Sequence, residues 1–255
     1  MRIYQIFATI SSVYFNLLVV LFCSILFAND AMAQQRNFDT LMREYGMVNI
    51  KELDSDILVE LKYSTEDNFV GRDMYGDLED AYLEKEFASR VVRAQQILKR
   101  RNPNLTLLIY DAARPISTQR AMRKIVEGTE LERFVADGKR GGRHNYGVAI
   151  DLTIASLDGT PLDMGAGFDD FTEVASVKGT PDTNDPKYRT IEIYRSYAEG
   201  QVETGILSRS AADNRMLLIE VMYEAELYPY RREWWHYEDI MPMDSVRGKY
   251  KLLDF

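Results

Sequence analysis

The chain has 255 residues, of which 46% are hydrophobic and 28% charged, with 15 glycines and 7 prolines. These values exclude a disordered, collagen-like or low-complexity chain and a polytopic membrane protein. The 31 basic and 40 acidic residues leave a net charge of −9, which argues against a nucleic-acid partner because phosphate binding needs a basic face. One cysteine and two histidines restrict the available chemistry most.

Arg2 precedes an apolar run from Val13 to Ala28, then Ala31-Met32-Ala33 and polar Gln34-Gln35. A basic start, an apolar centre and a small-x-small site predict a secretory signal peptide cleaved after Ala33. The rival is an uncleaved anchor, although the run falls short of the roughly 20 residues that span a bilayer. A lipoprotein reading of Cys23 is weak, because bulky Phe22 precedes it. Removing residues 1–33 takes away Arg2 and Asp30 together, so the charge is unchanged. It also takes away Cys23, leaving no disulfide, thiol nucleophile or cysteine zinc site. The expected product is exported, periplasmic or secreted, and has no stable membrane insertion once the leader is cleaved.

Residues 34–255 read as one domain. Asn37–Tyr45 suggests a short helix or lead-in. Ile57–Tyr63 alternates apolar and polar residues, as a half-buried strand does. Asn68–Gly76 carries two glycines and reads as a loop. Leu83–Arg101 presents Phe87, Val91, Val92, Ile97 and Leu98 on a helical face stopped by Pro103. Leu105–Tyr110 is a short apolar strand. Ser117–Val135 predicts a second helix, with Ser117 as N-cap after Pro115. Val148–Ile154 is another strand, Ala211–Glu226 a helix, and Trp234–Ile240 extended chain. Without a repeat, a linker or a regular βαβ rhythm, this pattern predicts an α+β domain: a mostly antiparallel central sheet with flanking helices.

Both histidines sit in patterned segments. His144 lies in Gly142-Arg143-His144-Asn145-Tyr146-Gly147-Val148-Ala149-Ile150-Asp151, and His236 in Glu233-Trp234-Trp235-His236-Tyr237-Glu238. Two histidines and one aspartate make a divalent-metal site with an open position, suited to zinc. His144 and Asp151 are seven apart, so a straight strand would aim them at opposite faces. Gly147 supplies a residue that bends without steric cost. The bland alternatives are a loop His144 beside a surface Arg143, an Asp151 that caps a strand, and a His236 in an aromatic core.

Glu233 precedes His236 by three residues and would serve as general base beside a metal-activated water; otherwise it pairs with Arg231 or Arg232 on the surface. Arg114 follows an apolar strand and can stabilise an oxyanion, with Asp111 holding it by a charge-assisted bond. The alternative is a surface Arg–Asp pair.

Four blocks occur in order: Lys62-Tyr63-Ser64-Thr65-Glu66-Asp67-Asn68-Phe69-Val70-Gly71; Asp111–Pro115; His144-x-x-Gly147-x-Ala149-x-Asp151; and Glu233-x-Trp235-His236. Together they resemble the D-alanyl-D-alanine dipeptidases of the VanX type, within the zinc D,D-peptidase superfamily. The resemblance runs from about Glu60 to Tyr237. It implies the hedgehog/D-Ala-D-Ala peptidase-like architecture and one zinc per chain held by His144, Asp151 and His236. It further implies Glu233 as catalytic base, Arg114 as transition-state stabiliser, and Tyr63 and Asp169 facing a small D-amino-acid dipeptide.

Two positions depart from the family pattern. Gly142 stands where a serine is frequent, which removes a hydroxyl from the substrate's reach, and Ala113 stands where a tyrosine is common. The leader favours peptidoglycan turnover or peptide scavenging over a resistance role. Two alternatives stay open: a D,D-carboxypeptidase or endopeptidase acting on longer wall peptides, and a non-catalytic binding module that keeps the zinc fold. Lys178–Thr190 reads as a lid or a surface loop.

Overall fold

The computed structural model describes residues 37–178 and 189–255. The leader assigned to residues 1–33, and most of the Lys178–Thr190 segment, lie outside the described residues.

The first elements are α1 (Phe38–Glu44), β1 (Val48–Asn49), α2 (Ile50–Leu53) and β2 (Leu58–Val59). The strand expected over Ile57–Tyr63 is thus two residues long, because the chain turns into a 3-10 segment at Lys62–Ser64. After the Asn68–Gly76 loop come β3 (Tyr82–Leu83), α3 (Lys85–Arg101) and β4 (Leu105–Asp111). Glu84 caps α3 by accepting from the Phe87 amide at 3.0 Å. Phe87, Ala88, Val91, Ala94, Ile97 and Leu98 are buried on one face of α3. Each large side chain of this set contributes about 2 kcal/mol of hydrophobic stabilisation.

The helix expected over Ser117–Val135 is shorter. α4 spans Ile116–Val126, and the chain then reverses at Gly128, whose φ of 79° favours glycine. It resumes as a 3-10 segment, Glu130–Phe134, capped by Thr129. Ser117 does not cap α4; its hydroxyl donates to the Phe255 carbonyl. The remaining elements are β5 (Ala149–Ser156), α5 (Ile191–Glu203), α6 (Arg209–Glu224), β6 (Tyr228–Pro229), β7 (His236–Glu238) and α7 (Met243–Lys249).

Five strands form the main sheet in the order β2-β4-β5-β7-β6, and β1 pairs separately with β3. The architecture is α+β, as expected, but the sheet is mixed. β2 runs parallel to β4, whereas β4–β5, β5–β7 and β7–β6 are antiparallel. The parallel edge follows from connectivity: α3 lies on the crossover between β2 and β4, and a crossover is what a parallel pair needs.

Two registers place the site. Asp111 of β4 pairs with Asp151 of β5, after a shift that interrupts the ladder past Ile109. Asp151 pairs in turn with His236 of β7. Three polar residues therefore line up across three adjacent strands at one end of the sheet. Their neighbours Ile109, Ile150, Leu152 and Tyr237 are fully buried in the core.

Candidate metal centre and active site

His144 reaches this row from a 3-10 turn, Arg143–Tyr146, that ends at Gly147 in the left-handed conformation (φ 68°). A Cβ on Gly147 would lie 2.5 Å from Met47 Sδ and 2.9 Å from the Glu84 nitrogen, so a side chain there would clash as well as strain the backbone. This bend resolves the odd spacing of His144 and Asp151. The turn is anchored to the Arg114 segment: the Arg114 amide donates to the His144 carbonyl at 2.9 Å, and the Asn145 side-chain amide donates to the Arg114 carbonyl at 2.8 Å.

His144, Asp151 and His236 each offer one ligand atom, and these atoms lie within 4.8 Å of one another. Asp151 Oδ1 is 2.9 Å from His236 Nδ1 and 3.4 Å from His144 Nε2, while the two imidazole nitrogens are 3.1 Å apart. The outer nitrogens are engaged elsewhere. His144 Nδ1 lies 2.7 Å from the Ala112 carbonyl, and His236 Nε2 lies 3.3 Å from Glu238 Oε2. If each outer nitrogen carries the proton, Nε2 of His144 and Nδ1 of His236 present lone pairs to the centre. Two neutral imidazoles and a carboxylate suit zinc, so the residues fit the metal. Without it, burial works against the Asp151 charge, but the two imidazoles hold its carboxyl well below the usual range. Burial likewise disfavours charge on His236, but hydrogen bonds to Asp151 and Glu238 raise it to about 10.

Glu233 faces this group, its Oε2 3.9 Å from His236 Nδ1 and its side chain 21% exposed. Burial pushes its carboxyl up to about 7, against the attraction of His236 and with added repulsion from Asp151. It is not a surface residue turned away from the site.

Arg114 is buried and fixed. Asp111, fully buried, accepts from Arg114 Nε at 3.1 Å and from Nη2, and also from the Tyr75 hydroxyl at 2.5 Å. Arg114 Nη1 donates to Gln119 Oε1 at 2.8 Å. One N–H on Nη1 and one on Nη2 remain for a ligand, because guanidinium has five donors. Burial disfavours the Arg114 cation, but Asp111 more than compensates and its pKa stands well above the ordinary value. The guanidinium also sits over the Tyr63 ring, 5.0 Å from its centroid.

Asp169 adopts a left-handed conformation (φ 60°), where aspartate is several-fold over-represented among non-glycine residues. Both of its carboxylate oxygens accept from the Tyr63 hydroxyl at 3.1 Å, and Oδ2 lies 3.5 Å from the Phe69 amide. Burial and then Asp151 push its carboxyl well above the usual range; an incoming ammonium group would restore its charge.

Tyr63, Arg114, His144, Asp151, Asp169, Glu233 and His236 all line one cavity of about 460 Å³. Sequence reasoning missed several other contributors: Glu238, Gln119, Tyr75 and the stacked rings of Phe134 and Phe171, with centroids 4.7 Å apart. For Glu238 the sequence offered only its position two residues beyond His236, on the same strand face; the arginines that enclose it are seen only in the fold. Gly142, one of the two departures from the family pattern, lies at the cavity wall.

Three residues that could hold a metal ion thus stand beside a carboxylate and a buried arginine in one cavity. Residues 43–190 match the profile of the peptidase M15 family, described as D-ala-D-ala dipeptidase, and the chain belongs to this family. That match ends before Glu233 and His236, which enter the site through the fold. The chain is similar to a D-alanyl-D-alanine dipeptidase of Escherichia coli (strain K12), 30% identical over 192 residues, covering 75% of this chain and 83% of the relative. It is 25% identical over 213 residues to a D-alanyl-D-alanine dipeptidase of Enterococcus faecalis, covering 76% and 92%, and 26% identical over 217 residues to one of Enterococcus faecium, covering 76% and 91%. The protein is a metallopeptidase hydrolase.

Proposed function

We propose that the protein hydrolyses the free dipeptide D-Ala-D-Ala to two D-alanines, with His144, Asp151 and His236 holding one zinc ion. The reading is carried by the convergence of Glu233, Arg114 and the three ligands on one cavity, in a chain whose relatives bear the name of that activity. When bound, zinc supplies Lewis acidity, lowering the pKa of a water and polarising a carbonyl. Glu233 takes a proton from the attacking water and returns it to the leaving amine. Arg114 directs its two remaining N–H donors at the developing oxyanion, already oriented by Asp111 and Gln119. Asp169, oriented by Tyr63, receives the substrate ammonium, which selects a peptide with an unblocked amino terminus.

The leader pattern supports an exported enzyme, with residues 1–33 removed and 34–255 forming the catalytic domain, acting in peptidoglycan turnover or scavenging. Among the described residues no helix is long and apolar enough to cross a membrane. The deciding experiment offers D-Ala-D-Ala, its N-acetyl derivative and a D-Ala-D-Ala-terminated tripeptide to the zinc-loaded protein. Release of D-alanine from the free dipeptide alone is expected. Preference for the blocked or longer peptides would make it a carboxypeptidase, and zinc binding without hydrolysis a binding module.

A further inference from the structure

Glu238 is a buried carboxylate at the edge of the site, and no role has been assigned to it. It lies on β7 two residues after His236, on the same face of the strand, and is only 7% exposed. Its Oε2 lies 3.3 Å from His236 Nε2 and 2.9 Å from Arg143 Nε, and its Oε1 3.4 Å from Arg189 Nη2. Arg143 is itself buried, and its Nη2 donates to the Met241 carbonyl at 2.6 Å. A carboxylate buried between two guanidinium groups and an imidazole is held in one orientation by partners on three sides.

We propose that Glu238, braced by Arg143, is the positioning residue for His236. The inference rests on the zinc reading above. An anionic acceptor at Nε2 holds the proton there and fixes the ring, so that Nδ1 presents its lone pair to the metal. The two histidines differ in this respect. His144 is oriented by a backbone carbonyl, which no side-chain substitution removes, whereas His236 depends on a replaceable carboxylate. Glu238 also cancels guanidinium charge close to the site. Its loss would remove the anion that lies between the Arg143 guanidinium and the His236 ring.

The test measures Zn²⁺ affinity of the full chain by competition with a chromophoric chelator, alongside the absorption spectrum of the Co²⁺-substituted protein. Glu238→Ala is expected to weaken Zn²⁺ binding by about 10- to 100-fold, the range for removing an outer partner of a ligating histidine. Glu238→Gln, which keeps an acceptor oxygen but not the charge, should lose less affinity and retain a Co²⁺ spectrum closer to wild type. Zn²⁺ affinity within twofold of wild type in Glu238→Gln and in any folded Glu238→Ala would overturn the proposal; if Glu238→Ala does not fold, Glu238→Gln decides alone. A purely structural role would lower the melting temperature of the metal-free variants and leave Zn²⁺ affinity unchanged, which also counts against it. Failure of the wild-type chain to bind Zn²⁺ would instead overturn the zinc reading itself.

Discussion

Asp151 and His236 face each other directly across strands β5 and β7, with Asp151 Oδ1 2.9 Å from His236 Nδ1. Two of the three proposed ligands are therefore set by antiparallel pairing, and only His144 needs a special turn to join them. A buried pair of this kind depends on both members. Asp151→Asn is expected to destabilise the metal-free protein by about 3 kcal/mol, the range for removing one charge of a buried pair, and to abolish stoichiometric zinc binding. Denaturant unfolding and metal analysis check the two effects separately.

Arg114 is positioned by three hydrogen bonds that only a guanidinium can make together. Lysine keeps the charge and loses the fork. Arg114→Lys should lower kcat about 10²- to 10³-fold, as loss of an oxyanion donor does, with a smaller change in KM. Steady-state kinetics on D-Ala-D-Ala would show this split; an unchanged kcat would remove Arg114 from the chemistry.

The pH dependence has two parts with opposite signs. As the proposed base, Glu233 must be ionised, so kcat/KM should rise with pH along an acid limb. Burial places the Glu233 carboxyl near 7 without metal, and a bound cation lowers it, moving the limb of the loaded enzyme to the acid side of 7. In the metal-free protein the same raised value means that Glu233 contributes stability below its ordinary pKa of 4.5, lost as pH rises through about 7. Glu238 behaves in reverse. Burial disfavours its charge, but His236, Arg143 and Arg189 lower its pKa to about 2. Its contribution is present above the ordinary value of 4.5 and lost as pH falls toward 2. Metal-free protein should therefore be most stable in mildly acidic solution, and the stabilisation gained on adding zinc should grow toward neutral pH. Thermal melts with and without zinc across that range measure both trends.

Gly147 closes the turn that delivers His144. Gly147→Ala must accommodate a Cβ 2.5 Å from Met47 Sδ at a φ of 68°, and should cost more than about 1 kcal/mol. Zinc affinity should fall with it, because His144 moves with the turn. Full stability and full metal binding in this variant would show that the turn does not control the site.

Much of the site was legible from local chemistry. His144, Asp151, His236, Glu233, Arg114 and Asp111 each had a bland local alternative and were drawn together as one candidate site by four blocks in order, while the bend at Gly147 followed from the odd interval between His144 and Asp151. Helix α3 and strands β4 and β5 were legible because their burial is periodic and long. Other features were not. β2 is two residues long and pairs parallel only through the crossover that contains α3, which no local pattern reveals. The break after Val126 depends on Gly128 and Thr129, which interrupt a helical pattern that continues beyond them. α5 buries only Tyr194, Ala198 and Gln201, too few apolar positions to show a stripe. Glu238 looks like an outward-facing strand carboxylate until Arg143 and Arg189, distant in sequence, are seen to enclose it.

D-Alanine release from free D-Ala-D-Ala should be followed in one preparation of the full chain in three states: zinc-loaded, chelator-stripped, and restored with one equivalent of zinc. Turnover in the first, loss in the second and recovery in the third are expected, with Glu233→Ala binding zinc normally yet failing to turn over. Hydrolysis that persists after complete removal of the metal, or a Glu233→Ala variant within a few-fold of wild type, would contradict the account.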